Sequence, residues 1–445
     1  MTGFAGRGTL AALGVASALA YCTSLPLGWR PPVQPLAGHV IVFGVVFVLY
    51  LAAIRIALGP VGRARGVLGL VLGFGLLFRA LMLPTPVYLS SDVYRYLWDG
   101  RVQLAGVNPY RYAPAAPDLA GLRDGDTHPQ INRPWARTVY PPAAQWLFAL
   151  AAAAAPNSLV GWRVLLLALD ALVMLILLRV LRHLGAPAAA VVVYAWSPLV
   201  VFEGVQAGHV DLAVIPLILL GLGWRQGGSS VRAGFALGLA TLVKLYPAVL
   251  ILACWRRGDL RFPGVAAATI ALGYAPYAAA LGFGALGFLP EYFASHEDHN
   301  IGLRALLTFP FGFTGETPRA VAMAVLFAVM LAALTAIARA RRPEPQGTWE
   351  AAALAAGAYL LLVPTSMHPW YVMWMVPFLA VTPSPAWLYF SGAVALSYLK
   401  YVVEPAPFPW WAWAAEYVPL YALLSVAGWR MVARRATVSA PLPAA

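Results

Sequence analysis

The sequence predicts an all-α, polytopic membrane protein, and three observations point to that class. Of its 445 residues, 61% are hydrophobic and only 11% are charged, and the mean hydropathy is +0.74. Soluble domains are roughly 45–50% apolar and about 25% charged, so this composition excludes both a series of soluble domains and a disordered chain. The apolar residues also fall into separate stretches, most of them close to the ~20 residues that cross a bilayer as a helix.

The apolar stretches predict about 12 transmembrane helices in one integral-membrane domain that covers residues 1–445. The first stretch has no clear cleavage site, so we expect it to remain as a span. The final segment, 436–445, is rich in Ala and Pro, and we expect a flexible tail there. The expected spans are 9–27, 39–58, 67–83, 162–181, 188–202, 210–223, 264–282, 317–338, 349–366, 370–382, 386–402 and 414–432.

The longest polar interruption, residues 84–141, follows the third expected span. Loops of this length inside a compact protein usually carry function, so we expect a large external loop there. The apolar segment 142–155 is not expected to cross. A second apolar segment, 233–255, contains Lys244 and the helix breaker Pro247. It predicts a re-entrant pair of short helices, and the alternative is one kinked span.

The distribution of charge predicts the orientation. Short loops on one side hold 17 of the 30 Lys and Arg residues but only three of the 17 acidic residues. Because positive residues flank spans on the cytoplasmic side, both termini are expected in the cytoplasm and the large loop outside the plasma membrane. The net charge of +13 is therefore a topology signal. The arginines are spread over many short loops, which argues against a nucleic-acid partner.

The large loop supplies the first candidate site residues. If residues 91–98 are helical, Asp92, Arg95 and Asp99 lie near one face. Asp92 is a candidate general base beside an acceptor hydroxyl. The alternative is an interfacial, salt-bridged helix. Further along the loop, Asn108 and Tyr140 are candidate substrate contacts.

A second group of candidates lies between two apolar spans, where Glu203, Gln206, His209 and Asp211 form a dense polar cluster. Such residues are rare near membranes unless they have a function. A hydrogen-bonded substrate pocket and a structural network are both open. The His-x-Asp pattern lacks the partner spacing of a metal site, so neither a metal nor a cofactor is predicted.

Two further candidates are cationic or can become so. Lys244 could bind a lipid phosphate, or it could snorkel or pair with Asp211 or Glu203. His368, in a run that includes Tyr371, could donate to a phosphate or to a sugar hydroxyl. The alternative for this run is an aromatic belt at the interface.

Two other polar features need a structural interpretation. Asp170 lies in the middle of a span, where a lone carboxylate needs a partner, and we expect a hydrogen bond between helices. Arg163 lies two turns away, too far for a certain pair. The run 296–300 is expected to be a solvated loop, with acceptor binding as the alternative.

In order and spacing, these motifs resemble the GT-C superfamily of membrane glycosyltransferases. They are most similar to the polyprenol-phosphate-mannose-dependent mannosyltransferases of bacterial lipoglycan synthesis and of the first mannosylation in GPI-anchor assembly. The resemblance runs from about residue 85 to 380. Two positions depart from it: Ser90 replaces the first acid of an Asp-x-Asp pair, and Val210 replaces an Asn. The motifs are Asp92-Val-Tyr, Gly106-Val-Asn-Pro-Tyr110, Val139-Tyr-Pro-Pro142, Gly208-His-Val-Asp211, Lys244-Leu-Tyr-Pro247 and His368-Pro-Trp-Tyr371.

The resemblance implies a GT-C bundle with re-entrant or interfacial helices and an external active site. The implied reaction is inverting transfer of a sugar, with mannose expected, from a polyprenyl-phosphate donor to a lipid- or glycan-linked acceptor. Asp92 would be the base. The implied ligands of the donor phosphate and the substrate are Lys244, His368, Arg95, His209, Asp211, Glu203, Tyr140, Asn108 and Tyr371.

Two other functions remain open. A secondary transporter or lipid flippase would also span the membrane many times, but the internal repeat common in transporters is not evident. An O-antigen-ligase-like or polymerase enzyme would share the large external loop, but by family resemblance it relies on an arginine pair rather than an aspartate base.

Overall fold

A computed structural model describes residues 2–26, 33–294, 300–308, 316–404 and 406–438, and every regular element within these ranges is helical. The all-α prediction is therefore confirmed. The elements of the amino-terminal half are α1 (Thr2–Ser24), α2 (Val33–Ala57), α3 (Val67–Met82), α4 (Asp92–Leu104), α5 (Pro142–Ala154), α6 (Leu159–His183), α7 (Val192–Ala195), a π-helix (Val200–Gln206), α8 (Asp211–Gln226), α9 (Ser230–Val243) and α10 (Ala248–Ala253).

The carboxyl-terminal half continues the bundle with both long and short helices. They are α11 (Arg261–Leu281), α12 (Leu289–Ala294), α13 (Leu303–Thr308), α14 (Glu316–Ala340), α15 (Pro345–Leu362), α16 (Pro369–Val372), α17 (Val376–Val381), α18 (Pro385–Ala393), α19 (Leu399–Val403) and α20 (Trp410–Val438).

Each expected span overlaps a helix, but the number 12 is not confirmed. Within the described ranges, four helical segments are long and apolar enough to cross a membrane. A fifth is added if the pair Ala188–Ala195 and Val200–Gln206, bent by 61°, counts as one span. Breaks in the helices, several of them at prolines, divide other apolar stretches into shorter pieces. The four segments are Pro35–Ala57, Leu159–His183, Arg261–Ala294 and Arg319–Ala340.

In the segment 233–255 the chain turns back on itself. Helix α9 ends where Lys244 takes an extended conformation, with φ −145° and ψ 144°. After α10, the Cys254 carbonyl accepts a hydrogen bond from Nε of Arg225 at 2.9 Å, and Ser230 Oγ donates to Asp259 Oδ2 at 2.6 Å. The chain thus returns to the residues where α9 begins, which favours a re-entrant hairpin over one kinked span.

The large loop is built around the antiparallel pair α4 and α5. The Gln103 side chain donates to the Gln145 carbonyl at 2.8 Å, and the Gln145 side chain donates to Asp99 Oδ2 at 3.0 Å. At Gly100 the helices touch, because a Cβ there would lie 2.4 Å from the Phe148 carbonyl oxygen. Segment 142–155 therefore packs against the loop helix.

Hydrogen bonds and an ion pair of Asp124 stabilise the middle of the large loop. Its carboxylate accepts backbone N–H groups from Thr127 at 2.8 Å and His128 at 2.9 Å, and it pairs with Arg101. Desolvation opposes the charged form, but these hydrogen bonds outweigh it and hold the pKa of Asp124 below its ordinary value. The ionised carboxylate therefore stabilises the loop at neutral pH.

Asp170 does have a partner on another helix, as predicted, but the partner is Arg79 of α3. The two side chains form an ion pair and are fully buried. Tyr194 donates to Asp170 Oδ1 at 2.6 Å, and Arg79 Nη1 donates to the Ala195 carbonyl at 2.6 Å. This network joins α3, α6 and α7.

Arg163, unlike Arg79, binds backbone carbonyls rather than a carboxylate. Its guanidinium donates to the Leu83 and Thr85 carbonyls at 2.9 and 2.5 Å and to the Gln206 carbonyl. These contacts attach the start of the large loop to the end of the π-helix.

The structure changes the expectations for two segments, the run 296–300 and the tail 436–445. Residues 296–299 lie outside the described ranges, but Asn300 is buried: it donates to Glu416 Oε2 at 2.7 Å, and its carbonyl accepts the Tyr417 hydroxyl at 2.8 Å. A solvated loop is therefore wrong at Asn300. Helix α20 continues to Val438, so the expected tail is helical over 436–438, and residues 439–445 are outside the described part.

We predict that Arg79→Leu strongly destabilises the bundle, because it leaves the buried Asp170 carboxylate without its cation. Removing one partner of a buried pair costs about 3–5 kcal/mol, which thermal unfolding in detergent would measure. The double variant Arg79→Leu/Asp170→Leu should recover much of this loss. As a surface control, Lys400→Ala removes an i,i+4 pair with Glu404 and should have a small effect. Equal stability of Arg79→Leu and the wild type would contradict this interpretation.

Candidate active site

A cavity of about 600 Å³ lies where the large loop, the hairpin turn and the start of α16 meet. Asp92 reaches it from the first residue of α4, and Lys244 reaches it from the turn after α9. His368 and Tyr371 come from the third side, and Tyr140 from the end of the loop. With Arg95, which also touches it, six of the predicted residues therefore line one cavity, although they come from distant parts of the sequence.

The Asp92 carboxylate is partly exposed, at 20%, and is held in place. Asn132 donates to Oδ1 at 2.7 Å, and the Asp92 backbone N–H donates to Ser90 Oγ at 3.3 Å. Its position in the first turn of α4 places it at the positive end of the helix dipole. Oδ2 remains on the side away from Asn132.

Arg95 and Asn108 have mainly structural contacts. Arg95 touches the cavity but is buried. Its Nε lies 2.8 Å from Asp99 Oδ1, and Nη1 donates to the Ala136 carbonyl at 3.0 Å. Asn108 lies outside the cavity wall, where its side-chain oxygen accepts the Tyr110 N–H at 3.0 Å in a turn. On the predicted helical face, Arg95 and Asp99 form an ion pair, whereas Asp92 is partly exposed.

Lys244 forms the pair with Asp211 that was one of the alternatives considered for it, and it also lines the cavity. Nζ lies 3.1 Å from Oδ2 of the fully buried Asp211, so the amine forms an ion pair on its buried side. It also lies 5.5 Å from the ring centroid of Tyr140 and 5.7 Å from that of Tyr371. The side chain is 18% exposed and lines the cavity, so the amine is oriented and remains accessible.

Trp370 lies between two imidazole rings. His368 stacks on it at 4.3 Å with an interplanar angle of 8°, and His209 stacks on it at 4.1 Å and 18°. His368 lines the cavity, whereas His209 lies behind the wall. Next to this stack, the hydroxyls of Tyr371 and Tyr292 are 3.1 Å apart. The stack therefore links the cavity surface to a buried layer.

That buried layer contains Glu203 and His209. His209 Nδ1 lies 3.9 Å from Asp92 Oδ2, and Nε2 lies 3.4 Å from Glu203 Oε2. The Tyr398 hydroxyl donates to Glu203 Oε1 at 2.9 Å. Burial lowers the pKa of His209 to about 3, although the charge of Asp92 opposes the shift, so the ring is neutral at physiological pH. Glu203, His209 and Asp211 stand behind the cavity wall.

A glycine sets the turn that carries His209. Gly208 has φ +73°, a left-handed conformation that glycine adopts without strain. Its carbonyl accepts Nε1–H of Trp162 at 2.7 Å. This hydrogen bond holds the turn against α6.

The sequence reasoning missed several cavity residues in the large loop. Asn132, Arg133 and Arg137 all line the cavity. Arg137 Nη2 donates to the Gly287 carbonyl at 3.3 Å and lies 3.4 Å from Glu291 Oε1. Arg133 has φ +54°, which is unusual for a residue with a Cβ. The Asn-Arg-Pro-Trp-Ala-Arg run at 132–137 is the signal that could have identified them.

The arrangement suits acid–base chemistry on an anionic, partly apolar substrate. One oriented carboxylate can accept a proton, and several cations from separate elements face the same space. The wall near α12 is apolar, with Phe288, Leu289 and Phe293. Among the described residues, no group of three His, Cys, Asp or Glu side chains could hold a metal ion.

Comparison with known families identifies the class of enzyme. Residues 138–365, just over half of the chain, match glycosyltransferase family 87. The matched region contains Glu203, His209, Asp211 and Lys244, whereas Asp92 precedes it and His368 follows it. No curated protein matches the chain. The apolar helices and this match together support a membrane glycosyltransferase rather than a transporter or lipid flippase. The chain belongs to glycosyltransferase family 87.

Proposed function

We propose that this enzyme is an inverting GT-C glycosyltransferase that moves a sugar, with mannose expected, from a polyprenyl-phosphate donor to a lipid- or glycan-linked acceptor. The reaction takes place at the external face of the plasma membrane. One observation carries the proposal: Asp92 and Lys244, which come from separate elements, face the same cavity. The proposed chemistry needs no metal or cofactor.

The cations of the cavity support binding of the donor phosphate. Lys244, Arg133 and Arg137 face it, and His368 adds a ring nitrogen. Negative charge grows on the phosphate as its bond to the anomeric carbon breaks. Preorganised cations therefore stabilise the transition state more than the ground state. The pairing of Lys244 with Asp211 keeps the amine in place before the donor binds.

Asp92 is the base. As the acceptor oxygen attacks the anomeric carbon from the face opposite the phosphate, Asp92 takes the hydroxyl proton, and the configuration inverts. The hydrogen bond from Asn132 to Oδ1 fixes the carboxylate, which reduces the reorganisation needed at the moment of transfer.

A lipid-linked donor is supported by the apolar side of the cavity. Phe288, Leu289 and Phe293 line that side at the start of α12. In the helical segment that leads to these residues, Leu272 is 73% exposed and Phe283 is 94% exposed, so apolar side chains of this segment face outward. A polyprenyl chain could lie on this surface while its phosphate reaches the cations.

The most informative experiment offers the purified protein a panel of donors. We expect a polyprenyl-phosphate sugar to be consumed and a nucleotide sugar to be left unused. Product analysis by mass spectrometry and NMR would identify the sugar and the anomeric configuration. Use of a nucleotide sugar alone, or retention of configuration, would contradict the proposal. Movement of lipid across vesicles without any transfer would favour the flippase alternative.

We predict that Asp92→Asn lowers the transfer rate at least about 100-fold, the scale of general-base catalysis, with little change in donor KM. The measurement is kcat and KM with a radiolabelled donor. Asp126→Asn, on the exposed part of the same loop, is the matched control and should retain activity. A wild-type rate in Asp92→Asn would remove the base assignment.

We predict that Lys244→Ala raises the apparent donor KM about tenfold, because a charge-assisted contact with the phosphate is lost. Lys244→Ala also leaves the buried Asp211 unpaired. The double variant Lys244→Ala/Asp211→Asn therefore separates the binding effect from loss of stability. An unchanged donor KM in the double variant would argue against phosphate contact.

The external position of the cavity is testable by cysteine labelling in intact cells. In a Cys22→Ser/Cys254→Ala background, an impermeant maleimide should label Asp126→Cys in the large loop. It should label Arg257→Cys, at the base of the hairpin, only after permeabilisation. External labelling at position 257 would contradict the proposed orientation.

A further inference from the structure

Three arginines lie close together at the base of the hairpin, at the end of the bundle that is predicted to face the cytoplasm. Arg225, in the last turn of α8, donates from Nε to the Cys254 carbonyl at 2.9 Å. Arg256 donates from Nη2 to the Arg225 carbonyl at 2.9 Å. Arg341, directly after α14, is near enough to Arg256 for their charges to interact. These three residues, the arginine cluster, therefore lie where α8, α10 and α14 end.

The positive charge of the arginine cluster is only partly neutralised. Among the ion pairs of the described residues, Asp259 is the one acid in contact with the cluster, with Oδ2 2.5 Å from Arg225 Nη1. Desolvation opposes the charged form of Asp259, but hydrogen bonds from Ser230 and Arg225 outweigh it and lower its pKa. Burial, and after it the like charges of Arg225 and Arg341, lower the pKa of Arg256. Three cations therefore share one carboxylate and repel one another.

Several N–H groups of the arginine cluster are buried without an acceptor. Arg225 is about 1% exposed, and within the described part of the chain its Nη2 has no hydrogen-bond partner. The same is true of the buried Nε atoms of Arg256 and Arg341 and of Nε2 of the neighbouring Gln226, whose side-chain oxygen accepts Nε1–H of Trp349 at 2.6 Å. All of these nitrogens are donors. Buried donors are rarely left unpaired, so the pattern indicates a ligand with several acceptor oxygens.

We propose that the arginine cluster binds a phosphate group, supplied either by the headgroup of an anionic lipid or by free phosphate. The planar guanidinium matches the oxygens of a phosphate, and basic pockets between membrane helices bind lipid headgroups. Arg225 is already oriented, because its Cζ lies 4.3 Å from the centroid of the Phe262 ring and Ser230 Oγ accepts from Nη1 at 3.1 Å. A bound phosphate would offset the excess positive charge and accept the unpaired N–H groups.

The proposed phosphate site is separate from the cavity. Of the described residues that line the cavity, none belongs to the arginine cluster. Helix α8 begins at Asp211, which pairs with Lys244, and Arg225 lies in its last turn. At 1.5 Å per residue, the 16 residues of α8 span about 24 Å. The site therefore goes beyond the proposed glycosyl transfer, and its test does not depend on the donor or on the base.

The test measures thermal unfolding of the full-length protein, purified in detergent and freed of bound lipid. Inorganic phosphate or short-chain phosphatidylglycerol is added at constant ionic strength, with chloride and phosphatidylcholine as the respective blanks. We expect a saturable rise in Tm, from which Kd follows. Arg256→Ala/Arg341→Ala should raise that Kd about tenfold or more, because charge-assisted contacts are lost. Arg55→Ala/Arg182→Ala, the matched control, removes two exposed arginines at the ends of α2 and α6 and should keep the wild-type Kd.

The outcomes identify the source of the phosphate or overturn the site. A response to phosphatidylglycerol alone, with this lipid retained in native mass spectra, assigns a lipid headgroup, whereas a response to inorganic phosphate shows that the free anion is sufficient. The proposal is overturned if neither ligand raises Tm, or if the cluster variant responds like the wild type. An equal loss in the control variant also overturns it, because attraction to a basic surface would then explain the binding. If the cluster variant does not fold, Arg341→Gln decides, since the one hydrogen bond of this side chain among the described residues is a 3.4 Å contact with the Arg342 carbonyl.

Discussion

The buried ion pair between Arg79 and Asp170 is the contact on which the site depends. A charge inside an apolar bundle needs a partner, so the two residues determine how α3, α6 and α7 pack. The π-helix that carries Glu203 follows α7, and its last residue, Gln206, accepts a hydrogen bond from Arg163 of α6. A network far from the cavity thereby sets the position of the polar layer behind it.

The hairpin accommodates a second charged side chain, Lys244, in the apolar bundle. Helix α9 stops short of crossing the bundle, because the chain becomes extended at Lys244 and Pro247 follows. The break brings an amine to the cavity, and the buried Asp211 at the start of α8 stabilises its charge. Close packing of α9 on α11, where a Cβ on Gly234 would meet the Phe262 carbonyl at 2.4 Å, holds the hairpin in place.

The polar residues therefore form two layers with different roles. Asp92, Lys244 and His368 face the cavity, where they can contact a substrate. Glu203 and His209 stand one layer deeper, where they contact the cavity-lining residues Tyr398 and Trp370. The inner layer is buried, so the local dielectric constant is low and electrostatic interactions there are stronger. The protonation state of each group in this layer therefore has a larger effect on its neighbours.

The sequence by itself determined the all-α membrane class, the break at Lys244 and six side chains of the cavity, because composition, helix breakers and local motifs are properties of short segments. Only the tertiary structure decided which charges meet. Arg79 and Asp170 are 91 residues apart, and Tyr398 and Glu203 are 195 apart. No spacing rule connects such pairs, since their contact follows from the packing of whole helices. The same packing brings Arg133 and Arg137 to the cavity.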